Sequence, residues 1–122
     1  MSVQHANFNV DQGSDFKLYI QLLDKDDQPV DATNAVIIGQ IRKTASTKHV
    51  SAEFAIEPID PSIGTFFLKL NGNESSKLHC TPSYFAERTN TEYSYDVEVH
   101  FPNGEINRIM QGILYVSPEV TR

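Results

Sequence analysis

The sequence lacks tryptophan and has a single cysteine, Cys80, among 122 residues. A disulfide needs two cysteines and a closed zinc site needs four ligands, so disulfide-stapled scaffolds and zinc ribbons are excluded. At this length about two thirds of the surface of the unfolded chain can be buried, which suffices for a core without staples. We therefore expect one domain over residues 1–122, with no cofactor and no metal.

Basic residues and long apolar runs are also scarce. Lys and Arg number 10 against 16 Asp and Glu, which gives a net charge of -6 and a pI near 5.0. Affinity for nucleic acid comes mainly from clustered Lys and Arg, so we expect no nucleic-acid partner. The apolar run 35–38 is far shorter than the roughly 20 residues of a membrane helix. The first seven residues also lack the pattern of a secretory signal, so no membrane partner is expected.

Strand-forming residues dominate what is present. Val, Ile, Thr, Phe and Tyr together supply 39 residues, whereas Ala and Leu supply only 7 each. Apolar and polar residues alternate over 16–22 and 93–101, as in half-buried antiparallel strands. Residues 102–105 then predict a hairpin turn with Asn-Gly at its centre. The last strand is predicted over 106–116, with Gly112 as a candidate bulge.

Shorter segments complete the predicted strand set. Residues 8–10 predict a first strand, and 36–42, apolar on both sides at its start, predicts a central strand. Phe54 and Ile56 predict a short strand that Pro58 ends or places at an edge, forming a hairpin with 66–70. Asn73 is expected to cap a short helix over residues 74–79.

These elements predict an all-β fold. About seven strands with turn residues between them and one short helix are typical of an antiparallel immunoglobulin-like β-sandwich. Tyr93 or Tyr95, early in a late strand, stands where such a sandwich has its tyrosine corner. The cysteine pair and tryptophan of antibody domains are absent, so the prediction concerns architecture alone.

Three groups of residues are the candidates for chemistry. The acidic turn of Asp24, Asp26, Asp27 and Asp31 lacks the glycine and final acid of an EF-hand, so we interpret it as a solvated turn, with a loop-bound cation as the alternative. His79 and Cys80 are neighbours whose side chains would point to opposite faces of a strand, which favours an ordinary surface histidine and a half-buried cysteine. Asp96 and Glu98 share a strand face about 7 Å apart. That spacing suits a glycosidase pair, but the solvent face of a strand is the default interpretation.

No nucleophile elbow, HExxH, Walker loop or GxGxxG motif occurs, so no catalytic residue is expected and the protein is predicted not to be an enzyme. Aromatic side chains off the clearest core faces could instead form a sugar-binding or partner-binding surface, or pack under loops. They are Tyr19, Phe67, Tyr84, Phe85 and Tyr115.

Four stretches carry a resemblance to a known family. They are residues 8–16, 38–43, 93–99 and the closing segment 104–122. Together they resemble the N-terminal domain of bacteriophage baseplate upper proteins, whose members are β-sandwich modules that attach fibres or receptor-binding parts to a phage tail.

The resemblance implies a non-enzymatic structural protein of a bacteriophage virion, in the tail or baseplate or as a tail-fibre adaptor. Its expected partners are other tail, baseplate or fibre proteins, with several copies per virion. Its expected location is the virion tail, after synthesis in the cytoplasm of the host bacterium. Two alternatives stay open: a carbohydrate-binding host-recognition module, and a head decoration or neck protein. The expected partner interface is the polar C-terminal tail, represented by Glu119, Val120, Thr121 and Arg122.

Overall fold

The computed structural model describes residues 3–80 and 91–118, which form nine strands and two short helical turns. The strands are β1 (Gln4–His5), β2 (Phe8–Asp11), β3 (Phe16–Gln21), β4 (Val36–Arg42), β5 (Ala52–Glu53), β6 (Ala55–Asp60), β7 (Thr65–Leu70), β8 (Thr91–His100) and β9 (Ile106–Ser117). A 3-10 turn spans Pro61–Ile63, and the α-helix α1 spans Gly72–Ser75. In this part of the chain no helix is long and apolar enough to cross a membrane.

The strands form two sheets packed face to face. The larger sheet has the order β1-β9-β8-β4-β5, with β2 also beside β9, and the smaller has the order β3-β7-β6. This partition places β3, β6 and β7 as the B, D and E strands of an immunoglobulin-like sandwich, and β4, β8 and β9 as its C, F and G strands. The predicted fold class is confirmed. One feature of it differs, because β1 and β2 run parallel to β9 and the larger sheet is therefore mixed.

The core lies between the sheets and takes its side chains from alternating positions. Along β8 the predicted stripe is confirmed, since Tyr93, Tyr95, Val97 and Val99 are buried and the residues between them face outward. The smaller sheet contributes the core side of β7. Four aromatic rings pack together at the border of this core, with Phe54 and Tyr95 buried and Phe8 and Phe16 half-buried.

The two buried tyrosines of β8 each place a hydroxyl on a backbone carbonyl. The Tyr93 hydroxyl donates to the carbonyl of His79 at 2.6 Å, 14 residues upstream, whereas the bond of a tyrosine corner reaches back only a few residues. The Tyr95 hydroxyl donates to the carbonyl of Ala6 at 2.6 Å. In antibody domains the second disulfide cysteine follows the corner tyrosine by two positions. Tyr95 stands at that position here, and its ring packs against those of Phe8 and Phe54.

Gly112 is not the bulge of the last strand. The pairing of β8 with β9 shifts between Val97 and Glu98, and Ile109 is the extra residue on β9. Both Ile109 and Met110 are buried as a result, and Arg108 and Gln111 on either side of them face outward. Gly112 has a different role, because a Cβ there would lie 1.9 Å from the carbonyl oxygen of Ala6. Only glycine lets the β1–β2 junction approach β9 so closely.

Two further predictions need correction. Val36–Arg42 is next to the edge of its sheet rather than central, since beyond it lies only the two-residue β5. The helix covers Gly72–Ser75 rather than residues 74–79, and its cap is Asn71, whose side chain accepts from the Glu74 N–H at 2.9 Å. By contrast, the β6–β7 hairpin is confirmed, with Pro58 on an edge strand.

Candidate functional site

The acidic turn uses its carboxylates to hold its own backbone. The Asp24 carboxylate accepts from the N–H groups of Asp26 and Gln28 at 2.8 and 3.0 Å. The hydroxyl and N–H of Thr33 donate to Asp31, and these bonds lower the pKa of that carboxyl below its ordinary value. Across residues 3–80 and 91–118, no group of three or more His, Cys, Asp and Glu side chains could hold a metal ion.

His79 and Cys80 do not act together. Cys80 is half-buried with its Sγ 3.6 Å from the carbonyl of Val116, and burial raises the pKa of its thiol. His79 is exposed, and its contribution to the fold is the backbone carbonyl that Tyr93 binds.

The outward face of the larger sheet is a further candidate surface. The smaller sheet covers only the opposite face, so the outward side chains of β4, β8 and β9 stand in rows across the three strands. We call this surface the outer face. Its residues are Val36, Ile38, Gln40 and Arg42 on β4, Ser94, Asp96, Glu98 and His100 on β8, and Ile106, Arg108, Gln111 and Ile113 on β9.

The middle of the outer face is a polar hollow of about 410 Å³. Arg108 extends over it, with Nε 3.5 Å from the Asp96 carboxylate and a terminal nitrogen 3.1 Å from the Gln111 amide oxygen. Gln111 in turn lies 3.3 Å from Nδ1 of His5 on β1. On the other side Arg42 donates to Gln40 at 2.9 Å. The hollow is therefore lined by polar side chains that hydrogen-bond to one another, and two guanidinium groups lie at its rim.

Asp96 and Glu98 share this face, as the alternation predicts, but contact different partners. Asp96 pairs with Arg108, whereas Glu98 lies 3.8 Å from Nε2 of His100. Burial raises the pKa of Asp96. The positive charges of Arg108 and Arg42 oppose that rise, and the negative charge of Glu98 adds to it. Asp96 therefore belongs to an ion pair with Arg108, whereas Glu98 lies nearest to a different side chain, His100.

The end of the outer face near the β8–β9 turn is apolar. Val36 and Ile106 flank His100 on the neighbouring strands and are 58% and 55% exposed. Ile38 extends the patch along β4, also exposed. Nε2 of His100 is enclosed and has no hydrogen-bond partner, since the 3.8 Å to Glu98 is longer than a hydrogen bond. We call Val36, Ile38, His100 and Ile106 the apolar patch.

Apolar residues on both faces of the predicted strand 36–42 indicated the apolar patch in the sequence, but we interpreted them as a strand buried on both sides. Val36 and Ile38 break the alternation of β4 with apolar residues on its second face, and such a pattern also fits a strand buried on both sides. Because only β5 lies beyond β4, these side chains are exposed instead.

The candidate aromatic surface is divided between two places. Tyr19 lies on the outward side of β3, 55% exposed, with its ring 6.0 Å from that of Phe67. Nζ of Lys17 lies 4.0 Å from the centre of the Phe67 ring. Tyr115 is half-buried on β9. Two further candidates, Tyr84 and Phe85, lie outside the described residues, as does the predicted interface of Glu119, Val120, Thr121 and Arg122.

No protein-family profile and no curated protein matches the chain. Among solved structures, one described as murine CRIg is similar over 93% of this chain and 92% of that one, with 11% identity and a TM-score of 0.41. A similarity of this degree carries no inference about function.

Proposed function

We propose that the protein is a non-enzymatic structural component of a bacteriophage virion, a tail, baseplate or tail-fibre adaptor that binds a neighbouring virion protein through its outer face. The observation that carries the proposal is the apolar patch, where three β-branched side chains stand exposed around His100. Single exposed apolar residues are ordinary on a protein surface, whereas a contiguous group rimmed by polar residues is typical of an interaction site.

The resemblance to baseplate upper proteins supports the same face. Three of the four stretches that carry that resemblance, residues 38–43, 93–99 and 104–122, include most of β4, much of β8 and all of β9, the strands that form the outer face. A module that attaches other proteins depends on its contact surface as well as on its core, and these strands supply the outer face.

The composition of the face indicates the chemistry of the partner surface. The outer face joins an apolar patch at one end to a polar area that carries arginine, and protein–protein interfaces commonly combine apolar side chains with arginine in this way. The partner would bring apolar side chains to Val36 and Ile106 and a carboxylate within reach of Arg108, which is half exposed.

Mass spectrometry of purified phage particles is the first test, and absence of the protein from them would refute the proposal. The second test compares particles made with Ile106→Asp and with Ile59→Asp. Ile59 is a matched control because it is 46% exposed but lies on β6 of the other sheet. We expect Ile106→Asp to lower incorporation about tenfold, since a charge would be buried in the interface, and Ile59→Asp to leave it unchanged. Equal incorporation of both would rule out the outer face.

A carbohydrate-binding module is the second candidate, favoured by the exposed ring of Tyr19 beside Phe67. Lys17 already occupies space over the Phe67 ring, which leaves one free aromatic face rather than a platform. A glycan array probed with the wild type and with Tyr19→Ala tests it, because a sugar-binding role requires binding that the substitution removes. Labelling intact particles with an antibody against the protein would distinguish a tail or baseplate position from a head decoration or neck protein.

A further inference from the structure

Strand β3 has one open edge. Among the described strands it pairs only with β7, and the N–H of Leu22, just after its end, donates to the carbonyl of Gly64. That bond sets the phase of the antiparallel ladder, so Lys17, Tyr19 and Gln21 direct their N–H and C=O groups away from β7. Their backbone groups therefore line the edge of the sheet over six residues.

Two of the other edges, β6 and β5, carry features that discourage pairing. β6 carries Pro58 and an irregular register between Pro58 and Asp60, and β5 is only two residues long. Proline, bulges and shortness each prevent a further strand from pairing. β3 has none of these features, and its only charge is Lys17, which points outward. Within residues 3–80 and 91–118, no proline, bulge or row of charges on this edge opposes an added strand.

The core side of β3 is also incompletely covered. Phe16, Leu18 and Ile20 are half-buried, whereas Phe66, Leu68 and Leu70 opposite them on β7 are at most 2% exposed. A cleft of about 130 Å³ opens beside β3 between the two sheets, lined in part by Ile20 and Leu22 and by Ile109 and Met110 across it. A strand added along β3 would cover these side chains.

We infer that a second copy of the chain pairs with β3 through its own β3, antiparallel and about a two-fold axis at Leu18. This register sets Phe16 opposite Ile20 of the second copy, and Leu18 opposite its counterpart, on the core side. On the outward side Lys17 meets Tyr19 of the second copy, a contact of the kind that Lys17 already makes with Phe67. No like charges face each other, so the strand is complementary to itself. The product is a continuous six-stranded sheet with an isologous interface.

The size and charge of this interface predict how tightly the dimer forms and how it depends on salt. Two strands paired over residues 16–20 bury less than the roughly 800 Å² per partner of a stable complex, so the dimer should form only at elevated protein concentration. Each copy carries a net charge of -6, and salt should tighten the dimer by screening the repulsion between the copies.

Sedimentation velocity of the full chain from micromolar to millimolar concentration tests the inference. We expect a monomer–dimer equilibrium in the wild type. Tyr19→Lys would set two lysine pairs opposite each other across the axis and raise the dissociation constant about tenfold. Tyr19→Glu would set two Glu–Lys pairs there and give a dissociation constant below that of the wild type. Circular dichroism would verify that both variants fold.

Ile106→Lys is the matched control, because Ile106 is as exposed as Tyr19 but lies on the other sheet. It should dimerise like the wild type. A wild type that stays monomeric throughout would overturn the inference, as would dimerisation that Ile106→Lys abolishes and Tyr19→Lys leaves intact. Equal weakening by Tyr19→Lys and Tyr19→Glu would overturn the axis at Leu18. None of these outcomes depends on the virion role proposed above.

Discussion

Replacing Gly112 with alanine tests the junction at which β1 and β2 meet β9. A Cβ at residue 112 would lie 1.9 Å from the carbonyl oxygen of Ala6 and 2.9 Å from the side-chain oxygen of Asn7. Ordinary contacts between non-bonded heavy atoms are at about 3.5 Å, so the junction would have to move away by more than 1 Å, as an order of magnitude.

The loss in free energy of unfolding can be worked out from the hydrogen bonds that the added methyl group would break. The Ala6 N–H donates to the Gln111 carbonyl at 3.0 Å, the Ile113 N–H donates to the Asn7 side chain at 2.9 Å, and the Tyr95 hydroxyl donates to Ala6. Each such bond contributes about 1 kcal/mol, so losing all three costs about 3 kcal/mol. Alanine recovers up to about 1 kcal/mol by restricting the unfolded chain. The net loss expected for Gly112→Ala is therefore about 2–3 kcal/mol.

Urea unfolding measured by circular dichroism gives this number, and amide hydrogen exchange should show residues 4–11 opening first. Gly104→Ala is the control, because its Cβ would meet nothing within 4 Å and only its φ of 91° is unfavourable for alanine. That strain costs about 1–2 kcal/mol and should leave exchange in residues 4–11 unchanged. Stability of Gly112→Ala within about 0.5 kcal/mol of the wild type would refute the close approach, because this is the range of ordinary surface substitutions.

The remaining predictions concern pH and the helix cap. Burial raises the pKa of Tyr95 from 10.0 to about 12, so folding favours its neutral form. Its contribution to stability is complete below pH 10 and is lost as the pH rises towards 12, by about 2 kcal/mol. Unfolding measured against pH should therefore show a shallower alkaline loss for Tyr95→Phe than for the wild type, and parallel curves would contradict this. Asn71→Ala should cost about 1 kcal/mol in the same urea assay, because Asn71 caps the helix, whereas Asn73→Ala should cost less than half as much. A larger loss of stability for Asn73→Ala than for Asn71→Ala would instead identify Asn73 as the helix cap.

Much of the fold could be predicted from the sequence because strand alternation is a local signal. The stripe from Tyr93 to Val99 identified β8 and its buried face, and Pro58 identified an edge strand. The parallel pairing of β1 and β2 with β9 joins residues about 106 positions apart, and no local pattern encodes it. The bulge at Ile109 was hidden because two adjacent apolar residues fit either phase of the alternation.

The candidate site was less predictable, for a related reason. Whether Val36 and Ile38 face a neighbour or the solvent depends on how many strands lie beyond β4, which is a property of the whole sheet. The partners of Asp96 and Glu98 likewise depend on the register of β8 against β9, which places Arg108 within reach.

The parallel pairing at the front of the larger sheet also determines how the domain responds to force. Gln4 faces Met110 at one end of the pairing and Asp11 faces Ser117 at the other, so β2 and β9 run side by side in the same direction. A pull on residue 4 against residue 117 would slide these strands along each other and load all their hydrogen bonds at once. A hairpin pulled at its open end releases its bonds one after another. Tension along this axis would therefore be shared by all the hydrogen bonds that join β1 and β2 to β9, so the first and last strands of the sandwich would separate together rather than one bond at a time.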